Sequence, residues 1–342
     1  MSLLDWGYSS AWTERFRAHR QAGLAAARIV GANRGVFELE TEIGHARGEL
    51  AGRLEYAAES PLDLPVAGDW VAITQTGPAL IIAVVERQSL VARATNEGQR
   101  QPLAANIDVA FLVCGLDNDW SPRRLDRYLA LAREAAVTPV AVLNKRDLCA
   151  DPEAALRLAR GVAQAVLISA HHDDLPEKLG VFMQPGQTAA LFGSSGAGKS
   201  TIVNALLGGP AQTTAAVRES DGKGRHTTTT RTLIRLPQNW LLLDMPGLRS
   251  VGVTGDTAAV EDAFADIAAL AVNCRFANCT HTNEPRCAVL ASANPERLAH
   301  YRQLLREAAY QHEREDASAA RSKKERWKKL HAAMKHRPDK RG

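Results

Sequence analysis

This 342-residue sequence has no long apolar run. Its longest apolar stretch, residues 109–116, is eight residues, whereas a membrane-spanning helix needs about 20. A buried strand is the better reading. An export signal is missing too, since Asp5 and Trp6 stand where a basic segment and an apolar run would lie. A cytoplasmic protein with no membrane partner is therefore expected. The cysteines number five (Cys114, Cys149, Cys274, Cys279 and Cys287), an odd count that argues against a disulfide framework in a chain with no such signal. Internal repeats are absent. What the sequence does have is 45% hydrophobic residues, enough to bury cores in two or three domains. Net charge is +4, but residues 321–341 hold ten Lys and Arg against Glu325 and Asp339, so the rest of the chain is net acidic. The basicity belongs to the tail, where it can attract a polyanion.

Two rhythms divide the chain. Short segments of β character at residues 36–39, 48–56, 70–75 and 79–86 are punctuated by Gly and Pro clusters, which predicts a small antiparallel barrel. The polar stretch 96–104, carrying Pro102, reads as a linker. Apolar strands at 109–114, 140–143 and 166–169 then alternate with helical stretches such as 123–136, the pattern of a parallel α/β sheet. Further strands are expected at 188–192, 232–236 and 240–243. Beyond Asp256 the sequence turns helical, is interrupted by a cysteine cluster, and ends in a charged helix for which Asn294 and Pro295 supply a cap and first position. Three domains follow: 1–104, 105–255 and 256–342.

Gly193, Ser194, Ser195, Gly196, Ala197, Gly198, Lys199 and Ser200 fit the phosphate-binding P-loop, between a strand and a helix-forming run that opens with Thr201. Glycines let successive backbone N–H groups face phosphate, the helix N-terminus adds favourable field, and Lys199 brings a point charge. Ser200 would hold Mg²⁺. Downstream, Asp244-Met245-Pro246-Gly247 follows an apolar strand as a DxxG sequence. Asp244 would reach Mg²⁺ through water, and Gly247 would offer its N–H to the γ-phosphate. Many GTPases carry a water-orienting glutamine after that glycine; here it is Leu248, so slow intrinsic hydrolysis is expected. His226 is the nearest polar candidate, and Thr228 or a neighbouring threonine is a candidate switch residue closing on Mg²⁺. A solvated loop histidine is the plainer alternative for His226.

Asn144-Lys145-Arg146-Asp147 follows a predicted strand, the context in which NKxD reads guanine. Asp147 could accept both N1–H and the exocyclic amine of guanine, whereas adenine would leave the carboxylate unpaired, a contrast of roughly 10⁴-fold or more. The Lys145 stem would cover the base, Asn144 would brace the loop, and Ser169-Ala170 would offer a backbone N–H to O6. NKxD alone is weak evidence, because such tetrapeptides are usually charged loops; the P-loop gives it weight. In the common order the P-loop precedes NKxD, and here it follows. Circular permutation preserves packing when the cut falls in an exposed loop.

Cys274, Cys279, His281 and Cys287 place three thiols and an imidazole within 14 residues, a closed donor set for one structural Zn²⁺. Such a metal would fold a segment with little apolar core of its own. Cys114 and Cys149 read as small hydrophobes near strands. In the tail, Trp327, Leu330 and Met334 at helical spacing among lysines and arginines suggest RNA backbone as partner, although a solvated charged face and membrane-surface binding are alternatives.

These motifs together resemble the ribosome small-subunit-dependent GTPase A family (RsgA, also called YjeQ), bacterial circularly permuted GTPases. The resemblance is carried by the permuted order, by Gly68-Asp69-Trp70-Val71, residues 102–106, residues 224–229, and the cysteine segment 274–287. It implies a multidomain α/β protein: an N-terminal OB-fold barrel that binds RNA, a permuted P-loop GTPase domain and a C-terminal helical zinc domain. It further implies GTP hydrolysis to GDP in late maturation of the 30S subunit, stimulated by the subunit with 16S rRNA as partner, by a monomer that uses Mg²⁺ with GTP. His226 would be the catalytic histidine, beside Lys199 and Gly247. Two alternatives stay open: a binding switch whose hydrolysis is incidental, and a permuted GTPase serving another RNA, partner or metal-delivery task.

Overall fold

A computed structural model describes residues 2–33, 35–95, 97–117, 120–208, 232–244 and 255–335, the side chains of 244, 319, 322, 323 and 325–335 excepted. The first unit is a closed barrel. Strands β1 (Leu24–Asn33), β2 (Val36–Thr41), β3 (Gly44–Leu50), β4 (Trp70–Thr74) and β5 (Ala79–Val84) run in the order β1-β2-β3-β5-β4, and β4 pairs back onto β1. Among the described barrel strands only β3 and β5 pair in parallel. Because side chains alternate across a strand, Ala27 and Ile29 of β1 point inward with Phe37, Leu39, Val71, Ile73 and Ile81. On the outer face Ala26, Trp70 and Ala72 are sealed by Trp12 and Phe16, which come from α1 (Ser10–Arg15) and the junction with α2 (Arg17–Gln21).

Two expectations need correction here. Residues 48–56 are not one strand: β3 stops at Leu50 and α3 (Gly52–Ala57) follows. Leu50 and Leu54, four apart, both pack against the barrel interior, which suits a helical turn better than continued alternation. The stretch 96–104 is not a plain linker either. β6 (Leu90–Ala94) pairs with β7 (Arg100–Ala105), and Pro102 sits at the register shift, where a missing N–H is tolerated. Val91, Leu103 and Ala104 of this hairpin are buried in the core of the next unit.

That unit is a six-stranded sheet in the order β10-β9-β8-β11-β13-β12, made of β8 (Val109–Gly115), β9 (Thr138–Asn144), β10 (Gln164–Leu167), β11 (Thr188–Gly193), β12 (Thr232–Arg235) and β13 (Leu241–Asp244). All are parallel except β12. β8 is buried along its whole length, as a central strand covered on both faces should be. Its even residues Ala110, Leu112 and Cys114 join one core and its odd residues Val109, Phe111 and Val113 the other. The helices between strands are α4 (Pro122–Glu134), α5 (Pro152–Arg160), α6 (Leu175–Gly180) and α7 (Lys199–Leu206). β12 also touches β1 through Gly31 and Thr232, so barrel and sheet are continuous.

The C-terminal helices are α8 (Thr257–Ala263), α9 (Ala265–Ala271), α10 (Ala288–Ser292) and α11 (Pro295–Lys335). Val260, Phe264, Ile267, Leu298, Leu304 and Ala308 bury against the same core as α4. Asn294 caps α11 by accepting from the N–H groups of Glu296 and Arg297 at 3.0 and 3.1 Å. Buried Asp126 of α4 binds Arg297 and, at 3.1 Å, His300 of α11. Among the described residues, no helix is long and apolar enough to cross a membrane.

Candidate nucleotide site and cysteine cluster

The P-loop leaves the C-terminal end of β11, beside β8 and β13, where open α/β sheets bind ligands. Gly193 ends the strand and Gly198 is the N-cap of α7. The loop closes tightly. At Gly198, φ is +98° and a Cβ would lie 2.2 Å from Asn144 Nδ2, so both conformation and space demand glycine. Lys199 folds back, its Nζ donating to the carbonyls of Gly193 and Ser194 at 2.8 and 2.6 Å. Ser200 and Thr201 lie in the first turn of α7, with the helix N-terminus facing the loop that would hold phosphate.

The segment expected to read the base leaves the same end of the sheet at β9, with β8 between it and β11, and Asn144 joins it to the P-loop. Buried Asn144 donates from Nδ2 to the carbonyl of Ala197 at 2.9 Å and accepts at Oδ1 from the Ala170 N–H at 3.0 Å. One amide thus ties three loops. Lys145 adopts a left-handed backbone, φ +63°, uncommon for a side chain of its size and typical of constrained sites; its Nζ is ion-paired to Asp117. Asp147 accepts from the Ser169 hydroxyl at 2.6 Å, and that bond foremost holds its carboxyl below the usual carboxylate range. Asp147 is thus ionised, the state that can accept two N–H groups of guanine. Of the Ser169-Ala170 N–H groups expected to offer a bond to O6, that of Ala170 is held by Asn144 Oδ1 and that of Ser169 by Asp173, so a bound base would have to share one.

The cysteine cluster lies between α9 and α10. The ligand atoms of Cys274, Cys279, His281 and Cys287 all fall within 4.8 Å of one another. Cys274 Sγ is 3.8 Å from Cys287 Sγ and 3.6 Å from His281 Nδ1, which is 3.4 Å from Cys287 Sγ. A tetrahedral Zn–S bond of about 2.3 Å sets sulfur atoms about 3.8 Å apart, so the donor set and spacing fit Zn²⁺. His281 is left-handed, φ +56°, which turns its ring back toward the thiols.

Comparison with known proteins agrees with this arrangement. The RsgA GTPase family model matches residues 84–254. A protein of Opitutus terrae named small ribosomal subunit biogenesis GTPase RsgA is 38% identical, with 98% of each chain covered. This chain belongs to the RsgA GTPase family. Two solved structures share its fold. YjeQ from Thermotoga maritima has a TM-score of 0.63 at 23% identity, covering 83% of this chain and 98% of that one. YloQ, described as a circularly permuted GTPase, has a TM-score of 0.62 at 21% identity, covering 83% and 95%.

The fold brings Asn144, Lys145, Asp147, Ser169, Ala170 and the P-loop together at the C-terminal ends of β9, β10 and β11, and gathers the four cysteine-cluster residues separately. Asp244 ends β13, next to β11; its side chain is outside the described atoms. His226, Thr228 and Gly247 lie outside the described residues, as do Met245 and Leu248. Cys114 is buried in the core as expected, and Cys149 is half-buried against it. Two acids that motif reading passed over stand beside this family's base loop. Asp117 meets Lys145, and Asp173 accepts from Arg146 Nη2 at 2.6 Å and from the Ser169 N–H at 2.7 Å. Asp117 lies just past β8, next to the P-loop strand, and that position was the available clue.

Proposed function

We propose that this chain hydrolyses GTP to GDP and phosphate, and that its turnover is gated by the small ribosomal subunit during late 30S maturation. The observation that carries this reading is the Asn144 side chain, which bonds the P-loop at Ala197 and the Ser169-Ala170 loop at once. Purine-reading and phosphate-holding loops are thereby tied into one surface. In it Asp147 grips the N1–H and amine of guanine, the Lys145 stem covers the base, and Asn144 braces the loops. Backbone N–H groups from Gly193 to Lys199 cradle the phosphates, with Ser200 and Thr201 at the helix end. Lys199 exchanges its two carbonyl partners for phosphate oxygens, a charge-assisted gain. Ser200 and Asp244 are the proposed Mg²⁺ ligands with Thr228 as switch threonine; the ion would neutralise charge on the phosphates. Gly247 would sense the γ-phosphate. Leu248 cannot orient water, so His226 is assigned that work, with the subunit bringing it into place.

The remaining proposals concern architecture and partners. The proposed divisions at 104/105 and 255/256 set apart an OB-like RNA-binding barrel, the permuted GTPase unit and the C-terminal unit, in which Cys274, Cys279, His281 and Cys287 hold one structural Zn²⁺; the first division crosses β7, whose hairpin with β6 packs on the GTPase side. The basic tail would meet 16S rRNA. The chain is proposed to act as a cytoplasmic monomer. GTP turnover measured with and without 30S subunits tests the reading: marked stimulation is expected, and an unstimulated rate would remove the ribosome from the mechanism. His226→Ala should keep GTP binding and lose stimulated turnover; normal turnover would take His226 out of the chemistry.

A further inference from the structure

Every side chain of the Asn144-Lys145-Arg146-Asp147 segment is engaged, and two of the five partners are carboxylates from outside the nucleotide motifs. Asp117 pairs with Lys145. It sits above Gly115, where a Cβ would come within 3.1 Å of Asp117 Oδ1 and 3.6 Å of the Ala197 Cα, so the acid occupies the seam between base loop and P-loop. Asp173 acts on the opposite flank. Its side chain is 8% exposed, and it takes both the Arg146 guanidinium and the Ser169 N–H. Ser169 in turn aims its hydroxyl at Asp147.

We propose that Asp117 and Asp173 are positioning residues that pre-form the guanine pocket, Asp117 by pinning the Lys145 stem across the base and Asp173 by fixing the Ser169 backbone that orients Asp147. The physical reason is preorganisation. An unanchored lysine has many rotamers to lose when a base arrives, whereas one held by its ammonium has already lost them. The pair is partly exposed, with side-chain exposures of 27% for Lys145 and 30% for Asp117, so solvent screens part of its contribution to folding, and the loss read here is that on the ligand. The base is common to GTP and GDP, so loosening the pocket weakens both alike.

This inference rests on the guanine reading, and the experiment separates the two. Dissociation rates of fluorescent GDP and GTP are measured by stopped flow on the full chain, with ATP as competitor. Asp117→Ala should speed release of both nucleotides about tenfold, in line with loss of a charge-assisted contact, with the melting temperature nearly unchanged. Asp117→Asn, which keeps an acceptor oxygen, should recover part of the loss. In a Lys145→Ala background Asp117→Ala should add nothing, because Asp117 acts through that lysine. Asp173→Ala should also speed release and narrow the preference for GTP over ATP, since it acts through Asp147. Unchanged release in both variants, with a wild type that selects GTP, would overturn the proposal alone, as would a full additive effect of Asp117→Ala without Lys145. A wild type indifferent between GTP and ATP would instead overturn the guanine reading.

Discussion

Gly198→Ala and Gly196→Ala form a matched pair that tests whether Asn144 joins the phosphate and base loops. Both glycines are left-handed, with φ of +98° and +83°, so each alanine pays about 1–2 kcal/mol of backbone strain. They differ in what the new methyl meets. At Gly196 nothing lies within 4 Å, whereas at Gly198 the Cβ falls 2.2 Å from Asn144 Nδ2. Asn144 must then swing away, losing its bonds to the Ala197 carbonyl and the Ala170 N–H. At about 1 kcal/mol for each net hydrogen bond, Gly198→Ala should cost about 2 kcal/mol more than Gly196→Ala. That gap corresponds to about 4–8 °C in melting temperature for a unit of 150–250 residues. Thermal unfolding of the nucleotide-free protein reads it. In an Asn144→Ala background the gap should vanish, because the obstructing amide is gone. Equal losses from the two glycine variants, or a gap that survives without Asn144, would refute the reasoning.

Other consequences follow from the same geometry. Asp147 is held below the usual carboxylate range chiefly by the Ser169 hydroxyl, so its charged, guanine-binding form should survive as pH falls through that range and be lost only beneath it. Ser169→Ala removes that bond, and the acid limb of GTP binding, followed by fluorescence titration, should move to higher pH; an unmoved limb would contradict the assignment. Cys279→Ser should leave well under one zinc per chain by atomic spectroscopy and unfold the segment between α9 and α10 in hydrogen exchange, since metal binding there is folding energy; full zinc content would remove Cys279 from the site. Asp126→Ala leaves buried His300 without its carboxylate partner and Arg297 with Asp266 alone, which should cost about 1–3 kcal/mol and loosen that helix from α4. Hydrogen exchange confined to α11 is the readout.

The candidate phosphate and base motifs stand out in the sequence because their residues are contiguous and flanked by apolar strands, and the candidate metal cluster because its four residues fall within 14 positions. The parallel sheet was legible in the alternation of apolar runs with helices. Illegible were the features created by contacts between distant positions. Asn144 and Ala197 are 53 residues apart and Asp126 and Arg297 are 171, and nothing local marks either pair. α3 was read as strand because Leu50 and Leu54 fit both periods over so short a span. The β6–β7 hairpin was hidden by Pro102, whose missing N–H is absorbed at a register shift. β1, written Leu-Ala-Ala-Ala-Arg-Ile-Val-Gly-Ala-Asn, carries few β-branched residues and takes its strand from pairing with β2 and β4.

The central claim is that Asp147 and Lys199 serve one ligand, the first at its purine and the second at its phosphates. Competition of GTP and ATP against fluorescent GDP tests it most directly, on wild type, Asp147→Ala and Lys199→Ala. Wild type should prefer GTP over ATP by roughly 10⁴-fold or more, Asp147→Ala should lose most of that preference, and Lys199→Ala should bind neither nucleotide. Comparable displacement by ATP and GTP from the wild type, or a Lys199→Ala variant that binds GTP normally, would contradict it.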